Sequence, residues 1–116
     1  MSYTTTDVID LLRVARQRIA NGWLRHDYQS GDAFCVLGAC GVRRGQGDEF
    51  PATQAAIRLL NEFVQFPGNP WTREAYQGGL VGFNDNPDTT VDQVLGLIDR
   101  TIEAAELRAR VQENQA

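Results

Sequence analysis

The sequence predicts an all-α fold, a small single-domain bundle of about four to five helices that spans residues 1–116. Three segments carry apolar residues at three- and four-residue spacing, which is the periodicity of an amphipathic helix. No run of alternating apolar and polar residues indicates a sheet. With 116 residues, 42% of them hydrophobic, the chain is long enough to bury one core without a metal or a disulfide.

The first helix is predicted over residues 6–21. Thr4 and Asp7 have the spacing of a capping pair at its start. We expect Gly22 to adopt the left-handed conformation that closes many helices, with Trp23 making the hydrophobic contact that accompanies such a closure. The apolar stripe of this helix consists of Val8, Leu11, Leu12, Ala15 and Ile19.

The next segments are harder to assign. Residues 24–33 show no sustained period and contain Ser, Gly and Asp, so we predict a loop. Residues 34–42 are almost wholly apolar, a pattern that fits a buried strand as well as a buried short helix, although Gly38 and Ala39 favour close helix packing. Residues 43–49 are polar and punctuated by glycine, which predicts an exposed loop.

A second long helix is predicted to begin at Pro51 and to end near Phe66. Proline suits the first turn of a helix, where its missing N–H is not needed, and the breakers at 67–68 follow the expected end. A short helix is predicted over residues 71–77, after which residues 80–83 return apolar side chains to the core. The stripe of the long helix consists of Ala52, Ala55, Ala56, Leu59, Leu60 and Phe63.

The last part of the chain predicts a turn and a third long helix. Residues 84–90 are dense in Asn, Asp and Thr, which bond to their own backbone in turns. Thr90 and Gln93 have the spacing of a capping box. Residues 106–116 are polar, and we expect them to fray or to project as a tail. The helical stripe between turn and tail consists of Val91, Val94, Leu95, Ile98, Ile102 and Ala105.

Composition excludes several functions. All eleven basic residues are arginine, so Schiff-base chemistry and P-loop phosphate binding, which need a lysine, are excluded. Arginine-only usage also indicates a G+C-rich genome. Fifteen acidic residues give a net charge of −4, the wrong sign for a protein that neutralises phosphates, which disfavours nucleic acid as a partner. Mimicry of nucleic acid would need clustered carboxylates, whereas arginines are interspersed along the chain.

Cysteines and hydropathy indicate a cytoplasmic protein with no membrane partner, no metal and no cofactor. No segment approaches the ~18 apolar residues of a membrane span, and the first residues lack the features of a signal peptide. Cys35 and Cys40 lie in an apolar run, where reduced cysteine acts as a small hydrophobe, so we expect no internal disulfide. Two Cys and one His fall short of a zinc site, and residues 85–92 lack the pattern of a calcium loop.

Four short motifs occur in order along the chain: Gly22-Trp23 at a helix end, Cys35-x-x-Gly38-Ala39, Phe83-Asn84-Asp85, and Thr89-Thr90 before a Val- and Leu-rich helix. In this combination the chain resembles, over about residues 8–102, an uncharacterised family of small actinobacterial and phage proteins, a domain of unknown function. The family has Trp where Phe34 and Phe83 stand and Leu where Cys40 stands, which are apolar exchanges. The resemblance implies no activity, and a phage or prophage accessory protein would fit it.

Cys35 is the candidate catalytic residue. At the start of a buried helix its thiolate could be favoured, with His26 as base and Asp27, Asn84 or Asp85 orienting the base. These residue types suffice for a Cys-dependent hydrolase or transferase. The competing interpretation is a packed cysteine, because an apolar setting raises the pKa of a thiol and makes it inert.

Asn84 and Asp85 are candidate ligand-binding residues. An amide beside a carboxylate could bind a substrate or a cation, but turn and capping chemistry would explain the pair without a ligand. If Cys35 and this pair converge in space, the functional interpretation gains weight, because polar groups held against a buried helix start need a reason.

Trp71, Arg43 and Arg44 are the candidate partner-binding residues, since Trp and Arg are enriched at interface hot spots. The first hypothesis is therefore a small cytoplasmic protein that acts without catalysis, by binding another protein or itself. The alternative is the Cys-dependent hydrolase or transferase. A pocket that joins Cys35 to His26 or to Asn84 and Asp85 would favour the alternative.

Overall fold

The computed structural model describes residues 3–42, 51–64 and 79–115, and within these ranges the chain is predominantly helical. A short antiparallel pair of strands, with Gln29 opposite Phe34, is the one sheet in the described ranges. The all-α prediction is confirmed. In chain order the elements are α1 (Thr5–Asn21), β1 (Gln29–Ser30), β2 (Ala33–Phe34), α2 (Val36–Ala39), α3 (Pro51–Glu62), α4 (Leu80–Asp85) and α5 (Val91–Gln115).

The first and last helices pack along each other in antiparallel directions. Thr5 Oγ1 near the start of α1 donates to Gln112 Oε1 near the end of α5, and Arg13 Nη2 lies 2.6 Å from Glu106 Oε2. These polar contacts are exposed and each contributes little. The apolar faces stabilise the pair, at roughly 1.5–3 kcal/mol for each large side chain removed from water. Fully buried side chains of these two helices include Leu12, Ile19, Leu97 and Ile98.

The two capping boxes predicted at the starts of α1 and α5 are confirmed. Thr4 and Asp7 form a capping box, in which the Thr4 hydroxyl accepts from the Asp7 N–H and the Asp7 carboxylate accepts from the Thr4 N–H. Thr90 and Gln93 make the same reciprocal bonds before α5. Each box satisfies backbone donors that would otherwise lack a partner, and it needs only residues three apart in sequence.

The predicted conformation of Gly22 is wrong. Its φ of 170° is extended backbone rather than left-handed, and Trp23 forms a backbone bridge with Phe34. The Gly22 carbonyl accepts from the Phe34 N–H at 2.9 Å, and a Cβ on Gly22 would lie 3.2 Å from the Ala33 Cα. Glycine is therefore favoured at position 22 because β2 passes close to its Cα. This contact involves residues outside the helix end, which local capping rules do not consider.

The ambiguous apolar segment contains both kinds of structure. Phe34 ends β2, the Cys35 side chain caps the next helix, and α2 follows as a single turn ending at Ala39. The close packing expected at Gly38 is present, because an added Cβ would lie 1.8 Å from the carbonyl oxygen of Tyr28.

Other boundaries also differ from the prediction, since the predicted loop 24–33 contains β1 and the first residue of β2. Helix α3 ends at Glu62 rather than near Phe66, since the Phe63 N–H donates to Leu60 and tightens the last turn. Asn84 and Asp85, predicted to open a turn, belong to α4, and the turn begins at Asn86. The polar residues that follow Ala105 continue as helix to Gln115.

Candidate functional site

A pocket of about 410 Å³ lies between the loop after α1, the start of α2 and one side of α4. It brings together Cys35, His26, Asn84 and Asp85, the candidates that the sequence separates by up to 59 positions. We call it the Asp85 pocket. Its lining residues are His26, Asp27, Tyr28, Cys35, Val36, Leu37, Leu80, Val81, Asn84 and Asp85.

Asn84 joins the three segments that form the pocket. Its side-chain oxygen accepts from the Trp23 indole N–H at 2.8 Å and from the Val36 N–H at 3.0 Å. Its amide nitrogen donates to the Leu24 carbonyl and to Asp85 Oδ1. Asn84 is 3% exposed, so its four bonds replace those that water would make. Its role is positional: it fixes the loop and α2 against α4, instead of making a turn.

Asp85 is held by two hydrogen bonds to one of its carboxylate oxygens. Its Oδ1 accepts from the backbone N–H of His26 at 2.8 Å and from the Asn84 amide at 3.0 Å. Its Oδ2 lies 3.6 Å from His26 Nδ1, which is too long for a hydrogen bond. His26 itself adopts a φ of 68°, a left-handed conformation in which its N–H meets the carboxylate. The carboxylate is therefore fixed, whereas the imidazole is largely exposed.

Cys35 contributes a buried thiol that caps α2. Its Sγ accepts from the Gly38 N–H at 3.3 Å, and its own N–H donates to the Tyr28 carbonyl. Burial raises the pKa of this thiol above its ordinary value; the backbone N–H groups of Gly38 and Leu37 oppose the shift, and the carboxylates of Asp85 and Asp27 add to it. The thiol is therefore protonated near neutral pH and is a poor nucleophile.

The candidate catalytic residues share the pocket without forming a catalytic chain. In the part of the chain that the structure describes, Cys35 Sγ has the Gly38 N–H as its hydrogen-bond partner, and His26 is paired with Asp85. A hydrogen bond between thiol and imidazole is the geometry that activates a cysteine nucleophile. No such bond is present among the described residues.

The turn behind the pocket is fastened by an arginine that the sequence analysis did not single out. The Arg25 guanidinium lies 4.4 Å from the Trp23 ring centroid and donates to the carbonyls of Asn86 and Thr89. One arginine thus ties the pocket loop to the turn after α4. Neighbouring residues give no signal for it, because its partners lie some 60 positions away.

The remaining sequence candidates are placed as follows. Trp71, Arg43 and Arg44 lie outside the described residues. Both cysteines are free and buried. Over residues 3–42, 51–64 and 79–115, no three His, Cys, Asp or Glu side chains are grouped so as to hold a metal ion. Within the same ranges, no helix is both long enough and apolar enough to cross a bilayer.

Comparison with known proteins identifies the family of the chain. No curated protein and no solved structure matches the chain. The sequence profile of a family of unknown function, DUF6197, matches residues 4–104. This range includes the described helices and strands except the end of α5, and it includes all residues that line the Asp85 pocket. The chain therefore belongs to the DUF6197 family.

Proposed function

We propose that this chain acts by binding rather than by catalysis, and that the Asp85 pocket receives a protruding group of a protein partner. One observation carries the proposal: the pocket combines apolar side chains with a carboxylate fixed by two hydrogen bonds. Binding sites are concave and mostly apolar, with a few polar groups in set positions, and the volume here is at the lower end of their range.

The wider contact with the partner is proposed on sequence alone. Trp71, Arg43 and Arg44 are our candidates for it, because Trp and Arg are enriched at hot spots of protein interfaces. Self-association is the other form that this contact could take. We further propose a cytoplasmic protein of an actinobacterium or its phage; its free cysteines and its arginine-only composition are consistent with a reducing compartment and a G+C-rich genome.

The test is a screen of small fragments followed by 15N–1H NMR. We expect hits to shift the backbone amides of Tyr28, Val36 and Val81, which line the Asp85 pocket. Hits that shift only residues of the second groove, formed by α1, α3 and α5 around Tyr3 and Arg108, would overturn the proposal.

A pair of matched variants separates the pocket from the rest of the surface. Val81 lines the pocket and is 44% exposed, so Val81→Trp obstructs the pocket without entering the core. Val111 has a similar exposure of 46% and lies on α5. We expect Val81→Trp to abolish the shifts and Val111→Trp to leave them unchanged.

The second candidate function is the Cys-dependent hydrolase or transferase. The observation in its favour is that Cys35, His26 and Asp85 line one pocket. Against it stand the raised pKa of the thiol and the lack, among the described residues, of a hydrogen bond between Cys35 Sγ and the His26 imidazole. The alkylation rate of Cys35, followed by fragment-ion mass spectrometry in native and urea-unfolded protein, distinguishes the two. We expect slower alkylation in the native state at neutral pH; a faster native rate would establish an activated thiolate and favour the enzyme.

A further inference from the structure

We infer that the Asp85 pocket binds an organic cation, a protonated amine or a guanidinium carried on a short alkyl chain. The inference rests on the proposed function, since it names the chemical class that the binding pocket selects. The charges of the described lining residues give its first support: two are carboxylates, Asp27 and Asp85, and the basic side chain among them, His26, is largely exposed.

The second support is that one carboxylate oxygen, Asp85 Oδ2, can accept further hydrogen bonds. Asp85 Oδ1 already accepts two hydrogen bonds, from His26 and Asn84. Among the described residues, no donor lies within hydrogen-bond distance of Oδ2, and His26 Nδ1 is 3.6 Å away. A carboxylate oxygen has room for further donors, and an ammonium or guanidinium N–H makes the strongest hydrogen bonds to it.

The third support is the apolar part of the lining. Val36, Leu37, Leu80 and Val81 line the same pocket as the two carboxylates. An alkyl chain that ends in a cation has the matching distribution of apolar and charged surface. Asp85 is about a quarter exposed, so an ion pair with it is less screened by water than one on the open surface.

The two carboxylates also act on Cys35, which lines the same pocket. Burial is the main cause of the raised pKa of this thiol, and Asp85 and Asp27 add to it. A cation bound beside the carboxylates would offset their charge and lower the pKa of Cys35. A neutral ligand of the same shape would not.

The experiment is an NMR titration of the full chain with four probes that each carry a four-carbon chain: n-butylammonium, n-butylguanidinium, n-butanol and n-butyrate. We expect both cations to shift the amides of His26, Val36 and Gly38 with a Kd at least about tenfold lower than that of n-butanol, because a hydrogen bond to a charged group is worth more than one to a neutral group. Equal affinities for n-butanol and the cations, or tighter binding of n-butyrate, would overturn the inference while leaving pocket binding intact. No shift with any probe would also overturn it, and the fragment screen would then decide the proposed function.

Charge variants assign the preference to named groups. Asp85→Asn keeps an oxygen acceptor for the His26 N–H but removes the charge, so most of the advantage of the cations should disappear. Asp88→Asn removes the same charge three residues away, at an exposed position outside the pocket lining, and should change nothing. If Asp85→Asn does not fold, Asp27→Asn tests the second carboxylate, and an unchanged cation preference in that variant would count against the inference.

Two further readouts complete the test. The pKa of Cys35, followed through its 13Cβ shift, should fall in n-butylammonium and stay constant in n-butanol; a constant value in both would contradict cation binding beside the thiol. Nα-acetyl-lysine amide and Nα-acetyl-arginine amide present the same cations as protein side chains do. Binding of these amides at least as tight as that of the free alkyl cations indicates a protein side chain as the ligand, and weaker binding indicates a free amine.

Discussion

At the scale of single residues, Asn84 is the side chain on which the pocket most depends. Its replacement by Ala would leave the Trp23 indole N–H, the Val36 N–H and the Leu24 carbonyl without their partner. Buried polar groups that lose a partner incur their full desolvation cost, so we expect Asn84→Ala to lower the free energy of unfolding by about 3 kcal/mol or more. Urea unfolding followed by circular dichroism at 222 nm measures the change.

Asn86→Ala is the matched control for this prediction. Asn86 is half-buried in the turn after α4, and its side chain accepts one exposed hydrogen bond, from the Asp88 N–H. We expect a loss of less than about 1 kcal/mol. If the two variants lose equal stability, Asn84 does not hold the loop, α2 and α4 together.

The buried thiol of Cys40 should make the free energy of unfolding depend on pH in the alkaline range. Burial is the main cause that raises the pKa of its thiol from 9.0 to about 12. The unfolded chain therefore loses this proton first as the pH rises, and the stability held below pH 9 is lost between pH 9 and 12, at roughly 1 kcal/mol per pH unit. In urea unfolding at pH 8 to 11, the stability of the wild type relative to Cys40→Ala should fall steadily; a constant difference would show that the thiol ionises freely in the folded state.

At the scale of elements, helix α2 depends on the absence of a side chain at Gly38. An added Cβ would lie 1.8 Å from the Tyr28 carbonyl oxygen, a backbone atom that cannot move alone. We expect Gly38→Ala to destabilise the protein by at least about 2 kcal/mol and to displace the wall of the Asp85 pocket. Thermal unfolding and the NMR spectrum of the pocket amides measure the two effects.

Gly96→Ala provides a control of opposite sign. Gly96 lies within α5, and its added Cβ would meet only the Arg100 side chain, at 3.5 Å. Alanine in a helix interior is favoured over glycine, so we expect a gain of about 0.5–1 kcal/mol. A loss of similar size in both variants would mean that contact with Tyr28 is not what excludes a side chain at position 38.

Elements were predicted from sequence where their determinants are local. The stripe of α1, the stripe of α5 from Val94 onward and the boxes at Thr4 and Thr90 depend on residues three or four apart, and these are confirmed. Val91, predicted as the first member of the α5 stripe, is instead 38% exposed. Gly22 was assigned wrongly because its conformation depends on Phe34, a partner in another element. The end of α3 was placed too late for a related reason, because breaker residues set only the latest point at which a helix can end.

At the scale of the whole molecule, the pocket is a product of the topology. Residue types in the sequence identified Cys35, His26, Asn84 and Asp85 as candidates, but not that they meet. The bond from the Val36 N–H to Asn84 links residues 48 positions apart, and no local pattern encodes such a link. The structure also changes the interpretation of these residues, since Asn84 is a structural connector and Cys35 a protonated helix cap.

The same topology predicts that the end of α5 is dispensable for the pocket. Antiparallel packing places the residues after Ala105 beside the start of α1, as the bond between Thr5 and Gln112 shows. The pocket lies instead near the start of α5, where Arg25 bonds to Thr89. Deletion of residues 106–116 removes exposed polar contacts and two large apolar side chains, Leu107 and Val111, that are about half exposed.

We expect the chain shortened to residues 1–105 to lose only about 1–2 kcal/mol of stability, because exposed ion pairs and half-exposed side chains each contribute little. It should bind n-butylammonium as the full chain does. Shortening to residues 1–97 is the control, since it removes the fully buried Ile98 and Thr101 and should prevent folding. Circular dichroism and the NMR titration test both. Loss of pocket binding in the 1–105 chain, with its helices intact, would mean that the end of α5 acts on the pocket across the length of the bundle.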